Sequence, residues 1–252
     1  MTIYNSVGIM LTESWLSDEI LNAEINIPNF DIFRGDRCDR FRGGSAAYFR
    51  QNLNCRKESS FSNSTVDILT IKCKKLDTIY MVVYRPPDTC DSEWSEAINY
   101  INDTIDTIQA NGGYNNIVIS GDFNFSNLTW DRNILKIELN LSRQQQMLAQ
   151  LLSKYDLFNM VEDPTRNKNI LDLILVNDKH YISKIDQMVN CNLSDHNLLI
   201  CKLSDVYSFE EGTTKCDKMK YKTSIPNYNT RNASDDQWEN YLDDINSINW
   251  YE

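Results

Sequence analysis

The stretch NNIVISGDFNFSN, residues 115–127, constrains the fold more tightly than any other in the chain. Ile117, Val118 and Ile119 form an unbroken β-branched run, the pattern of a strand covered on both faces. The run reaches Gly121, which reads as a turn, and the chain then offers Asp122 and Asn124. A buried strand is a rigid mount, so a carboxylate and an amide at its tip are well placed to meet a ligand. The ordinary structural reading is a Gly-Asp turn in which Asp122 caps backbone amides.

Further segments extend the pattern. VGIMLTES, GGSAAYFRQNL, STVDILTIKC, LDTIYMVVYRPP, ILDLILVN, SKIDQMV and HNLLICKL read as strands, with a hairpin expected across Lys74–Lys75. Pro86 and Pro87 end one strand because neither can donate to a ladder. A helix is expected from Asp91–Ser92, with Trp94, Ala97, Ile98, Ile101, Ile105 and Ile108 on one face and Asn111-Gly112-Gly113 as its stop. A second, about Ser142 to Tyr155, carries Met147, Leu148, Leu151 and Leu152. Helices interspersed among more numerous strands imply a layered α/β domain over residues 1–204. Residues 205–252 are polar and poorly periodic; they read as a linker with a short helix around Asp235 to Ile245, where Trp238, Leu242 and Ile245 form an apolar stripe.

The chain has 252 residues and a net charge of -11, which argues against a polybasic nucleic-acid binder. Any contact with phosphate must come from a local patch or a bound cation. Seven cysteines without a CxxC and only two histidines leave no zinc spacing and suit free thiols in a reducing compartment. There is no apolar run of membrane length, and the N-terminus lacks a basic region of the kind that opens a signal peptide. The expected location is intracellular, nuclear or cytoplasmic, without secretion or membrane insertion.

Polar clusters close several strands. IMLTES delivers Glu13, VISGDFN delivers Asp122 and Asn124, LDLIL carries Asp172, and NLSDHNLLI places Asp195 and His196 ahead of a strand. Oxygen ligands at strand ends suit a hard divalent cation, and a histidine beside an aspartate is a candidate acid, base or oxyanion stabiliser. Singly, each has a bland reading: Glu13 as a solvated loop residue, His196 as a structural histidine. Asp172 is the odd one, since a carboxylate inside an apolar run needs a partner.

Taken in order, LTESWL, YRPP, SGDFN, DPTRNKNILDLIL and SDHNLL resemble the endonuclease domain of LINE-type (non-LTR) retrotransposons, within the endonuclease/exonuclease/phosphatase superfamily of apurinic endonucleases and DNase I. The likeness runs from about Val7 to Leu203, and DRFRGGSAAYFR is similar to that branch's glycine-rich segment. The resemblance implies a four-layered αββα sandwich and hydrolysis of a phosphodiester with Mg²⁺ or Mn²⁺. It implies a metal site at Glu13 with Asp195 nearby and catalytic roles for Asp122, Asn124, Tyr84, His196 and Asp172. It also places Thr165, Arg166 and Arg85 against substrate. DNA is the implied partner, nicked to leave a 3′-hydroxyl that primes a reverse transcriptase domain in a longer parent protein. Further DNA contacts are expected from Arg34, Arg37, Arg40, Arg42 and Lys168. The family's first strand, usually ending N-x-R-S-L, has no counterpart in the six residues before Val7, so the sandwich is expected to lack it. The rival readings are the same fold acting on another phosphoester, and an inactive relic or interaction module.

Overall fold

Two covered strands, Thr78–Tyr84 (β6) and Asn116–Asp122 (β7), run parallel at the centre of the molecule. Parallel pairing of consecutive strands needs a long crossover, and the helix Asp91–Ala110 (α1) supplies it. The computed structural model describes residues 6–37, 43–137, 140–189 and 194–204. The expected linker and helix beyond 204, and Arg40 and Arg42, lie outside the described residues.

Around β6 and β7 a six-stranded sheet forms. Beside β6 lie Asp67–Cys73 (β5) and Cys55–Ser62 (β4); beside β7 lie Asp172–Val176 (β11) and Phe158–Asn159 (β10). All of these neighbours pair antiparallel, and β5–β6 is the hairpin expected across Lys74–Lys75. Alternate residues face opposite ways. Ile79, Met81, Val83, Ile117, Ile119, Leu173 and Leu175 pack against α1 and the helix Arg143–Lys154 (α2). All six apolar residues expected on the inner face of α1 are buried.

The opposite face meets a second β layer. It comprises Gly8–Thr12 (β1), Ser45–Arg50 (β3) and Phe30–Gly35 (β2) in the order β1-β3-β2, together with the hairpin Ile182–Met188 (β12) and Leu198–Leu203 (β13). Leu69, Ile71, Tyr80, Val82, Val118 and Ile174 join Ala47 and Phe49 in this second core. Its buried Tyr80, Tyr181 and Thr78 hydroxyls bond to one another, as buried polar groups must. Among the described residues β1 pairs with β3 alone and β13 with β12 alone. This is the expected layered α/β sandwich, with both described helices outside the larger sheet. A short pair, Trp130–Asp131 (β8) and Ile134–Leu135 (β9), lies between β7 and α2 in the chain.

Gly121 corrects the turn expected at its position. It lies inside β7 at φ 138°, and a Cβ there would sit 2.0 Å from the Val83 carbonyl oxygen on β6. The glycine is therefore a site of close backbone approach within the sheet, and the strand continues through Asp122. Gly121→Ala is expected to destabilise the fold by about 2 kcal/mol or more, since neither backbone can yield without breaking the central ladder. Urea unfolding of the purified variant measures this; a loss below about 0.5 kcal/mol, the range of a neutral surface change, would contradict it.

Candidate active site

Strand register assembles the site. Tyr84 on β6 stands opposite Asp122 on β7, and Asp122 stands opposite Asp172 on β11. The three end adjacent strands in one row. Alternation from Val82, Ser120 and Ile174 turns their side chains toward the second β layer, where β1 leads into Glu13. Met10 of β1 already touches this face, its sulfur accepting from Ser120 Oγ at 3.2 Å.

His196 arrives from the segment before β13. Its Nδ1 lies 2.7 Å from Asp172 Oδ2, and its Nε2 lies 3.9 Å from Asp122 Oδ2. Asp122 is 6% exposed. Burial, then the neighbouring Asp172 charge, push its carboxyl up to about 7, against the pull of His196 and of Asn124. Asn124, at φ 51°, donates its backbone N–H and Nδ2 to the two Asp122 oxygens at 3.0 and 2.8 Å. The bond to Asp172 raises the His196 imidazole above its ordinary value, with burial opposing. Tyr84 is buried, which raises its phenol, and the nearby Glu13 carboxylate raises it further. Glu13 is exposed and accepts from Trp15 Nε1 at 3.2 Å.

The remaining expected residues fall in two groups. Asp195 lies at the rim, with Oδ2 2.5 Å from Arg166 Nη2 and both side chains 39% exposed. Thr165 and Arg85, expected against substrate, are instead buried. Thr165 is 0% exposed, and its Oγ1 accepts from the backbone of Leu171 and Asp172 at 3.1 Å each. Its own carbonyl accepts from Asn197 N at 2.8 Å, so it ties the Asp172 strand to the His196 segment. Arg85 stacks on Phe125 at 4.0 Å, donates to the Phe123 carbonyl at 3.0 Å and bonds to Gln144. Burial lowers its pKa to about 10, which leaves it charged at neutral pH.

Of the expected basic cluster between 34 and 42, the two described arginines are engaged within the protein. Arg34 reaches Asp36, Asn22 and the Ile20 and Ser17 carbonyls, and Arg37 is buried against Asp67. The sequence reading missed Ser194, whose Oγ accepts from His196 N at 3.1 Å, and Trp15 at Glu13. A serine two residues before a histidine is a recognisable local cap signal; Trp15 falls inside LTESWL, but its letter does not show the bond to Glu13.

With the imidazole neutral, three donors cluster tightly enough to hold a cation; with His196 protonated, both ring nitrogens donate and a cation must be held elsewhere. One oxygen or nitrogen from each of Asp122, Asp172 and His196 lies within 4.8 Å of the other two. Two carboxylates paired across strands present excess negative charge to a single histidine.

Residues 78–200 match the family described as endonuclease-reverse transcriptase. Among curated proteins no sequence matches. Solved structures do: the endonuclease domain of TRAS1, a telomere-specific non-LTR retrotransposon, is 14% identical with a TM-score of 0.54, over 80% of this chain and 87% of that one. The AP endonuclease LMAP from Leishmania major is 10% identical with a TM-score of 0.56, over 79% and 78%. A 3′-5′ exonuclease from Neisseria meningitidis is 13% identical with a TM-score of 0.55, over 79% and 89%. The fold is that of the endonuclease/exonuclease/phosphatase superfamily, as the motif order implied.

The raised His196 imidazole has a testable sign. Its folded-state value exceeds its unfolded one, so its stabilising contribution is full below about pH 6.5 and is lost as pH rises through the folded value. In metal-free buffer, an NMR titration of His196 is expected to move down in Asp172→Asn. An unchanged His196 titration in that variant would remove the Asp172–His196 bond as the cause.

Proposed function

We propose, for a chain that carries the endonuclease-reverse transcriptase signature on an endonuclease/exonuclease/phosphatase fold, that it is a divalent-cation-dependent DNA endonuclease domain of a non-LTR retrotransposon. The observation that carries this reading is the Asp122–Asp172–His196 constellation at the ends of adjacent strands, with Glu13 and Tyr84 beside it. Nuclease or phosphoesterase chemistry is what the family match and the fold support. DNA as substrate, a nick ending in a 3′-hydroxyl, and a reverse transcriptase domain in the parent protein are the finer parts of the proposal.

Hydrolysis adds a water oxygen to phosphorus and breaks the bond to the 3′-oxygen, which takes up a proton. Asp122 orients the water and accepts its proton; a carboxyl near 7 is matched to that task at neutral pH. Asn124 fixes Asp122 through its two donated bonds. His196, whose protonated form Asp172 favours, donates from Nε2 to a nonbridging oxygen as charge builds there. Tyr84 supplies a hydroxyl beside the same phosphate. Glu13 would hold the cation with Asp195 alongside, and Mg²⁺ or Mn²⁺ when bound supplies charge stabilisation at the phosphoryl oxygens. Arg166, with Lys168 exposed on the same turn, faces the substrate backbone. Thr165 and Arg85 act from within, by fixing the segments that carry Asp172 and Asn124.

A plasmid-nicking assay with Mg²⁺, Mn²⁺ or EDTA tests this. The chain is expected to relax supercoiled DNA only with the cation. His196→Ala should slow it by about two orders of magnitude or more, while His180→Ala should leave it unchanged. Asp172→Asn should be harmful but milder, compared at equal folded fraction. Equal losses at both histidines would overturn the assignment. Glu13→Gln should blunt the cation's effect on thermal stability; an unchanged response would place the cation elsewhere.

A further inference from the structure

The row that ends β6, β7 and β11 has a fourth member. Asp67 on β5 stands opposite Tyr84, so Asp67, Tyr84, Asp122 and Asp172 line up across four adjacent strands. Asp67 is 1% exposed, and its partners account for its burial. Oδ1 accepts from Arg37 Nε at 2.7 Å and from Ser62 Oγ at 2.7 Å, and Oδ2 accepts from the Gly44 backbone at 2.8 Å. Arg37 is buried too, and its guanidinium also donates to the Thr65 carbonyl.

From Gly44 the connection runs to the glutamate. The Gly44 carbonyl accepts from Ser14 N at 3.2 Å and the Gly43 carbonyl from Trp15 N at 3.0 Å. These are the residues immediately after Glu13. Glu13 and Trp15 sit at φ 50° and 53°, left-handed conformations that such side chains keep only where the surroundings hold them. The two glycines leave no room for a substitute. A Cβ at Gly43 would lie 2.7 Å from Asp67 Oδ2 and 2.8 Å from Arg37 Cζ, and one at Gly44 would lie 2.8 Å from Ser14 Oγ. The contact between the buried ion pair and the Glu13 loop is thus made by backbone at close range.

We infer that the buried Arg37–Asp67 pair is the positioning device of Glu13: through Gly43 and Gly44 it fixes the backbone that aims the glutamate at Tyr84. Neither residue touches the reacting atoms. An ion pair placed here satisfies the Gly44 amide and sets the loop in one geometry, whereas an apolar pair of equal volume would fill the space and leave the loop unaimed. The inference rests on the proposed role of Glu13 in the nuclease site.

Two readouts on the 252-residue chain test it. The first requires no activity. In folded, metal-free Asp67→Asn, amide exchange at Ser14 and Trp15 is expected to quicken about tenfold or more, while Ile119 in β7 stays protected. The second is a double-mutant cycle on nicking. Asp67→Asn is expected to lower kcat about tenfold with little change in KM for DNA. Adding it to Glu13→Gln should cost nothing further, since both act through one group. Arg37→Lys, which keeps the charge but loses the fork, should show a smaller loss in both readouts and stands in if Asp67→Asn does not fold. Unchanged exchange at Ser14 and Trp15, or losses that multiply with Glu13→Gln, would overturn the inference. A native chain with no nicking would sink the nuclease reading alone, and the exchange result would still decide whether Asp67 holds the loop.

Discussion

The structure turns on a like-charge contact: Asp122 and Asp172 face each other across β7 and β11 at the mouth of a core. Raising the Asp122 carboxyl from 3.8 to about 7 corresponds to a cost on the order of 4 kcal/mol for holding it ionised there. A fold retains such a contact only when something else compels it. The register does: Gly121 lets β7 approach β6 closely enough to keep Asp122 in line with Tyr84, and Thr165 fixes the first residue of β11 through two backbone amides. His196 then relieves the repulsion by bonding to Asp172 at 2.7 Å while facing Asp122 at 3.9 Å. Misplacing β7 or β11 by one residue would turn Asp122 or Asp172 into the helix-facing core, where nothing could neutralise it.

The same logic separates what the sequence revealed from what it hid. β5, β6, β7 and β11 are continuous apolar runs because both faces are covered, and α1 carries an apolar stripe because only one is; both patterns are readable. β4, Cys55–Ser62, went unread because it is an edge strand whose CRKESSFS is largely exposed. β2 went unread because FDIFRG mixes Asp31 and Arg34 into its apolar positions, and Arg34 is satisfied by loop carbonyls fourteen and seventeen residues away. At the site, the carboxylates and His196 were legible because their order along the chain follows the family's motifs. The orientation of Thr165 and Arg85 was not. A threonine or arginine beside a motif has the same letter whether it faces solvent or backbone, and only the tertiary fold determines which.

That distinction changes the electrostatics of the proposed activity. The protein carries a net charge of -11, so binding a polyanion requires cations concentrated at one place. Several arginines that the sequence offered for this are committed elsewhere: Arg34 to loop carbonyls and Asp36, Arg37 to Asp67, Arg85 to Phe125 and the Phe123 carbonyl. Among the described residues of that set, Arg166 remains partly exposed near His196, and Lys168 is exposed two residues further on. Arg166 is already paired with Asp195, but a pair this exposed is worth at most about 1 kcal/mol, so exchanging the carboxylate for a phosphate is nearly free. Under the proposed nuclease reading, phosphate would therefore meet the described surface at Arg166 and Lys168 rather than at the arginines the fold has already committed.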